Sequence, residues 1–320
     1  MTDANDDARA WALRLTATAV TVAGTLPYIT LKLIWLTGGS AGIDDPVMLR
    51  DGGFFGLNLL TFGLDAVALL IALAFVRPWG FRIPAGLILA PMWVGIGLLV
   101  PLPLVVVPVF LADLFGGTPF VAGGGPVAGW VFAVVYAGFT CQAFGLVAGF
   151  VFHARRRWPG MFTRRTSEGA AGPTQELQVF VAGGAMIVAL ILAAFNLSWL
   201  LGFAVGLPAG ALADRSLASW LQGAVSVLLP IAGAAGLLAI VRRRSGRPLW
   251  VPVTLAWIGS GGMFGWSMWM LLVTLTPTAL KAAPGGGAMD LVTLFTLLTG
   301  LVTGLAGAFA LVEREHENAG

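Results

Sequence analysis

The chain has 320 residues, of which 58% are hydrophobic and only 10% charged, against about 25% charged in an ordinary soluble domain. With a mean hydropathy of +0.90, this composition excludes a water-soluble globule. The net charge of +3 at neutral pH is carried mostly by arginine, but no DNA-binding motif or basic aromatic surface accompanies it, so no nucleic-acid partner is expected.

The apolar residues fall into eight blocks, 11–36, 54–76, 84–111, 127–153, 178–206, 216–241, 249–275 and 289–312. Each is at least about 20 residues long, the length that crosses roughly 30 Å of hydrocarbon at 1.5 Å per residue. A spanning segment must satisfy its own backbone hydrogen bonds, so each block is a helix or a closed-barrel strand. Continuous apolar runs without period-two alternation select helices. The expected fold class is an all-α integral membrane protein with eight transmembrane helices.

Ahead of the first block, Asp3, Asp6 and Asp7 stand where a signal peptide would be basic, so none is expected. Near the far end of that block lies Lys32. A lysine at a helix centre costs roughly 2.5–3.5 kcal/mol on insertion scales and calls for a compensating reason. Either it snorkels to the outer headgroups, or it has a partner in the second block. By depth counted from the outer surface, Asn58 is within direct reach and Asp65 lies about two turns deeper, reachable by a downward rotamer or through water. Asp65 is the one acid well inside a block, a structural ion-pair partner or a proton- or cation-responsive site. Between these blocks, Asp44, Asp45 and Asp51 offer oxygen ligands but no regular ligand spacing, and read as a solvated loop.

The third block contains Pro84, Pro91, Pro101, Pro103 and Pro108, with Gly95 and Gly97 between them. Proline removes a helix hydrogen bond and glycine loosens the backbone, so Pro101-x-Pro103 is expected to break or kink the helix. Whether 101–111 completes the span or re-enters is open. The Gly123–Gly125 run lacks a following Lys-Ser or Lys-Thr and is no phosphate loop. In the fourth block, Gly145 and Gly149 share a face suited to close helix packing. The lone cysteine, Cys141, permits neither an internal disulfide nor a multi-cysteine metal site.

Residues 154–177 are basic, then polar with Gly169, Gly172 and Pro173, and read as a linker between an N-terminal half, 1–153, and a C-terminal half, 178–312, with a tail at 313–320. The seventh block carries Pro252, Gly259, Gly261, Gly262 and Gly265. Met263, Met268 and Met270 could meet Cu(I), but methionine also fills gaps, and His153 and His316 lie at the other edge. Asp290 opens the eighth block as a helix cap, and Gly300 and Gly304 repeat the small-residue spacing. No paired-His zinc motif, serine elbow or cofactor fingerprint occurs, so no cofactor, metal site or catalytic set is expected.

The halves look alike at an offset of 164 residues. Leu33, Trp35, Leu36 and Gly38 match Leu197, Trp199, Leu200 and Gly202, and Pro84, Trp93, Gly95 and Gly97 match Pro248, Trp257, Gly259 and Gly261. The second and sixth blocks match poorly, as do the fourth and eighth, and many Gly and Trp residues make chance pairs easy. Four helices per half would make these parallel repeats about an axis along the membrane normal. Lys32 then maps onto Asn196 and Asp65 onto Leu229, which leaves the charges in one half and a neutral amide in the other.

Of the 18 Lys and Arg, fourteen fall on one side: Arg9, Arg14, Arg77, Arg82, Arg155, Arg156, Arg157, Arg164, Arg165, Arg242, Arg243, Arg244, Arg247 and Arg314. Arg50, Arg215 and Lys281 fall on the other. The skew places both termini in the cytoplasm of a bacterial plasma membrane. The Arg155–Arg165 and Arg242–Arg247 clusters are candidate contacts for anionic lipid.

Pro27, Tyr28, Lys32, Trp35, Gly38 and Gly39 resemble a pattern of uncharacterised actinobacterial multi-pass membrane proteins, in which a Lys-x-x-Trp-x-x-Gly-Gly stretch closes an early helix. The heavy use of Arg over Lys also looks like a high-GC coding sequence. The resemblance covers about twenty residues and implies a lineage without an activity.

The leading functional expectation is a transporter-like protein with a polar site between two halves. Its candidate substrate-binding residues are Lys32, Asn58, Asp65, Gly95, Gly97, Asn196, Gly259 and Gly261, with Gln142 or Gln222 as further members. Glycine- or proline-interrupted helices at matching places point to such a site, although close packing explains the same residues. The alternatives are a non-transporting scaffold or regulatory subunit, in a homo-oligomer or with a membrane-protein partner, and an intramembrane enzyme on a lipid-like substrate. The enzyme reading lacks a second catalytic group beside Asp65.

Overall fold

The computed structural model describes residues 2–117, 125–168, 172–208, 210–213, 215–243, 246–277 and 287–317. Lys281, Arg244, Gly169 and most of the Gly123–Gly125 run lie outside them, as do the side chains of Asp3, Asp6, Asp7 and His316. The helices are α1 (Thr2–Leu36), α2 (Gly52–Val76), α3 (Ala85–Leu99), α4 (Pro101–Leu114), α5 (Gly129–Arg157), the single turn α6 (Gly160–Thr163), α7 (Gln175–Leu200), α8 (Leu217–Arg242), α9 (Trp250–Leu275) and α10 (Gly287–Glu317). Among the described residues, eight segments are long and apolar enough to cross a membrane, with α3 and α4 together forming the third. The chain is an all-α, eight-span membrane protein.

Helix ends follow from local chemistry. The Asp51 side chain caps α2 by accepting from Gly53 N at 2.8 Å and Phe54 N at 3.4 Å, and Asp45 accepts from Val47 N at 2.9 Å. Two of the three loop acids are thus turn and cap residues, and no group of three or more His, Cys, Asp or Glu among the described residues is placed to hold a metal. Asp290 sits inside the first turn of α10, one turn later than a cap, where its charge still suits the helix dipole. In the third span the ladder breaks at Val100, which keeps helical dihedrals while Pro101 starts α4, and residues 101–111 continue the span. The fifth span is shorter than the 178–206 apolar run. It stops at Leu200 because Gly202, at φ 96°, turns the chain left-handed.

That stop is built like the end of α1. Gly38 and Gly42 have φ of 90° and 70°, and Gly202 and Gly206, each 164 residues later, have 96° and 70°. The Trp35 indole donates to Ala41 O at 2.8 Å, and the Trp199 indole to Val205 O at 3.0 Å. The backbone bonds Gly38 N to Trp35 O, Gly39 N to Ile34 O and Ile43 N to Ser40 O recur as Gly202 N to Trp199 O, Phe203 N to Ser198 O and Leu207 N to Ala204 O. Trp35→Phe, which deletes a bond beside a buried ring, is expected to lower stability by about 1 kcal/mol. Trp199→Phe, at a more exposed bond, should cost less, as thermal melts in detergent will show.

The chain divides into two compact units, 1–157 with 272–283, and 158–271 with 284–320. In the first, α1 packs on α5 and α2. A Cβ added to Gly24 would lie 2.8 Å from Gly138 O, and one on Gly145 would lie 2.7 Å from Ala17 O, so α1 and α5 meet almost backbone to backbone. Gly149 faces the Phe75 ring of α2. Near the α1 end, Leu31, Trp35, Met48, Phe54, Val127 and Val131 form the apolar core.

In the second unit α7 packs on α8, and α10 packs on both. Gly259 of α9 abuts Gly233 of α8, and Gly300 of α10 abuts Ser260 O and Phe264 N of α9. Within the 154–177 segment, residues 154–157 finish α5, and Arg165 pairs with Pro248 in an isolated antiparallel bridge. The buried Arg314 guanidinium closes this corner by donating to Thr166 O at 2.7 Å and Ile240 O at 3.1 Å. Two arginines of the first cluster hold protein carbonyls: Arg157 donates to Gly80 O and Ile83 O, and Arg165 to Gly246 O.

Candidate functional site

One face of α1 is polar along its whole buried length. Arg14, Thr18, Thr21, Thr25, Tyr28 and Lys32 recur at alternating steps of four and three, the spacing of a helix seam. The three threonines and Lys32 are buried. The hydroxyls are satisfied along the helix or across it: Thr25 donates to Thr21 O at 2.8 Å, Thr21 to Ala17 O at 3.0 Å, and Thr18 to Ala72 O of α2 at 3.0 Å. The stripe ends in the charged group.

Lys32 is completely buried, and its ammonium donates to Asp65 Oδ2 at 2.5 Å. It also lies 3.9 Å from the centroid of the Tyr28 ring, one turn earlier on α1. From α5, Gln142 Nε2 donates to Thr25 Oγ1 at 3.0 Å and, more weakly, to Asp65 Oδ1 at 3.4 Å. On α2 beside them, the Thr61 hydroxyl donates to Leu57 O at 2.9 Å. Three helices thus converge on one neutral pair of opposite charges.

The structure selects between the two partners that the depth count offered. Asn58, expected within direct reach of Lys32, instead donates through Nδ2 to Phe54 O of its own helix at 2.9 Å. Lys32 meets Asp65 directly, as the downward rotamer allows. The reason is side-chain direction. Side chains on a helix lean toward its N-terminus. Because α1 and α2 are successive spans and run in opposite directions, Lys32 leans inward while Asp65 leans outward. The lean closes the gap that counting residues along the axis leaves open.

The other candidates lie elsewhere. Gly95 is half-buried in α3, with open space where a Cβ would stand, and Gly97 is buried in the same helix. Asn196 donates to Leu192 O within α7 at 2.9 Å. Gly259 and Gly261 are buried in α9, the former against α8. Gln142 joins the cluster, whereas Gln222 is exposed. Met263 is buried and Met270 exposed, so the methionines do not converge on one point. His153 stacks on Phe81 at 4.7 Å and meets the tilted Phe75 ring at 5.2 Å. Thr25 and Thr61 were missed, and Tyr28 entered only through the resemblance. The four-three spacing of polar residues on α1 is the signal that would have found Thr25 and Tyr28.

A shallow groove of about 420 Å³ runs beside the site along Leu26, Pro27, Thr30, Leu31, Trp130 and Val134. Its one polar lining side chain, Thr30, donates to Leu26 O at 2.8 Å, so the lining offers no acid or base for catalysis. No family model, no curated protein and no solved structure matches the chain. What the protein does has to be read from the chemistry of this cluster.

Proposed function

We propose that the protein is a solute transporter of a bacterial plasma membrane, with both termini cytoplasmic, in which the Lys32–Asp65 pair sets charge selectivity or coupling. The observation that carries this reading is the burial of a complete ion pair within membrane-spanning helices, with Tyr28, Gln142 and Thr25 around it. Ionisable groups inside the hydrocarbon are costly, and where they persist they mark substrate paths, proton relays or counter-ion sites. The orientation rests on the fourteen-to-three arginine and lysine skew. The recurrence of the tryptophan turn 164 residues apart supports two parallel repeats, an architecture common among transporters.

Proteoliposomes on a solid-supported membrane test the reading. Concentration jumps in protons, potassium chloride, methylammonium chloride and sodium acetate are expected to produce a saturable charge displacement with at least one of them. Asp65→Asn, verified as folded, is expected to abolish it. A folded wild type that responds to none of these probes overturns the reading. The second reading is a non-transporting scaffold or regulatory subunit. It is favoured by the backbone-to-backbone contacts at Gly24–Gly138 and Gly233–Gly259, which suit a rigid bundle, and by stable co-purification with another membrane protein if that is found.

A further inference from the structure

We infer that the cage around the Lys32 ammonium is a binding site for a primary ammonium cation, filled in this state by the chain's own side chain. The purpose of such a site rests on the transporter reading, but its chemistry does not. Two groups address the nitrogen directly, Asp65 Oδ2 at 2.5 Å and the Tyr28 ring face at 3.9 Å. A carboxylate paired with an aromatic face recognises an ammonium, which offers N–H donors to one and diffuse positive charge to the other. The cage is also braced without its occupant. Gln142 ties Asp65 Oδ1 to Thr25 Oγ1.

An alkali or alkaline-earth ion fits poorly. Hard cations collect about six or more oxygens, whereas a single carboxylate oxygen and a ring meet this nitrogen. An anion fits no better, because it would have to displace Asp65, whose short side chain is fixed in the middle of α2. The group able to leave is Lys32. It has a four-carbon stem and stands one helical turn, about 6 Å, from the end of α1 at Leu36. Released from Asp65, it can extend toward that end as lysines near membrane surfaces do. There a crevice bordered by Trp35, Leu36 and Asn58 supplies an amide beside the route. An incoming primary ammonium would take the vacated place and keep the cage neutral. One cation enters for each Lys32 that leaves.

Removing the tethered cation tests the site. The full-length Lys32→Ala protein in detergent is melted against increasing methylammonium, ethylammonium and n-butylammonium chloride, with tetramethylammonium and potassium chloride at matched ionic strength. The primary amines are expected to raise the melting temperature saturably, as a ligand of the folded state must. Tetramethylammonium should bind about tenfold or more weakly because it has no N–H to give Asp65. The rise should vanish in Lys32→Ala/Asp65→Asn. A folded Lys32→Ala protein that responds alike to every salt overturns the site. Should Lys32→Ala not fold, purification in n-butylammonium chloride replaces the melt. Recovery there, and not in tetramethylammonium, supports the site, and no recovery overturns it. Saturable amine binding without any charge displacement by the wild type leaves the cation site standing and removes the transporter reading. Charge displacement without amine binding does the reverse.

Discussion

Asp65→Ala is expected to destabilise the protein by about 3–5 kcal/mol, the usual result of taking one partner from a buried ion pair. The variant leaves the Lys32 ammonium fully buried, with only the Tyr28 ring beside it. Lys32→Met should cost less, because Asp65 keeps its contact with Gln142. The double variant Lys32→Met/Asp65→Leu removes both charges and should recover most of the loss, since apolar replacement of a buried pair is often neutral or better. The decisive quantity is the coupling energy from the wild type, Lys32→Met, Asp65→Leu and Lys32→Met/Asp65→Leu, measured by denaturant unfolding in mixed micelles. If the two single effects add within about 0.5 kcal/mol, the pair is not coupled in the folded protein. The double variant also separates stability from activity: it should fold yet show no charge displacement. A double variant that still responds to solute would make the pair a staple and nothing more.

Much of the architecture was legible in the sequence, because bilayer thickness converts directly into block length. Seven of the blocks end close to the observed helices, and the exception, 178–206, carries on because a run of apolar residues does not record where Gly202 turns the backbone. Lys32 and Asp65 stood out because charge is so rare within the blocks. Their pairing was legible only as one of two options, because choosing between them depends on the opposite lean of side chains in neighbouring antiparallel helices. Tyr28 and Thr25 were hidden for another reason. A tyrosine or threonine in an apolar block is unremarkable until its four-three phase with Lys32 is noticed. The contacts of the basic linker were not legible, because composition reports charge and not partners. Arg157 and Arg165 spend their guanidinium groups on backbone carbonyls, which no count of arginines can show.

Gly259→Ala is expected to destabilise the protein by about 1–3 kcal/mol, the range for overpacking a close contact. The new Cβ would fall 2.3 Å from Gly233 N, 2.4 Å from Gly233 Cα and 2.7 Å from Leu229 O. These are backbone atoms, so no rotamer change can relieve the overlap and α8 and α9 must part. Gly138→Ala, placing a Cβ 2.5 Å from Gly24 O, should behave alike in the first unit. Gly149→Ala is milder in principle, because its closest neighbour is the Phe75 ring at 2.8 Å, a side chain that can shift. Gly63→Ala and Gly183→Ala meet nothing within 4 Å and should be neutral, or stabilising by up to about 1 kcal/mol through helix propensity. The most telling comparison is between Gly259 and Gly95, its counterpart 164 residues earlier, where an added Cβ again meets nothing. Gly95→Ala should fold normally, so any effect it has on charge displacement reports on backbone freedom in α3 and not on packing. If Gly259→Ala melts with the wild type, the tight α8–α9 contact is wrong and the packing explanation of the seventh-span glycines falls with it.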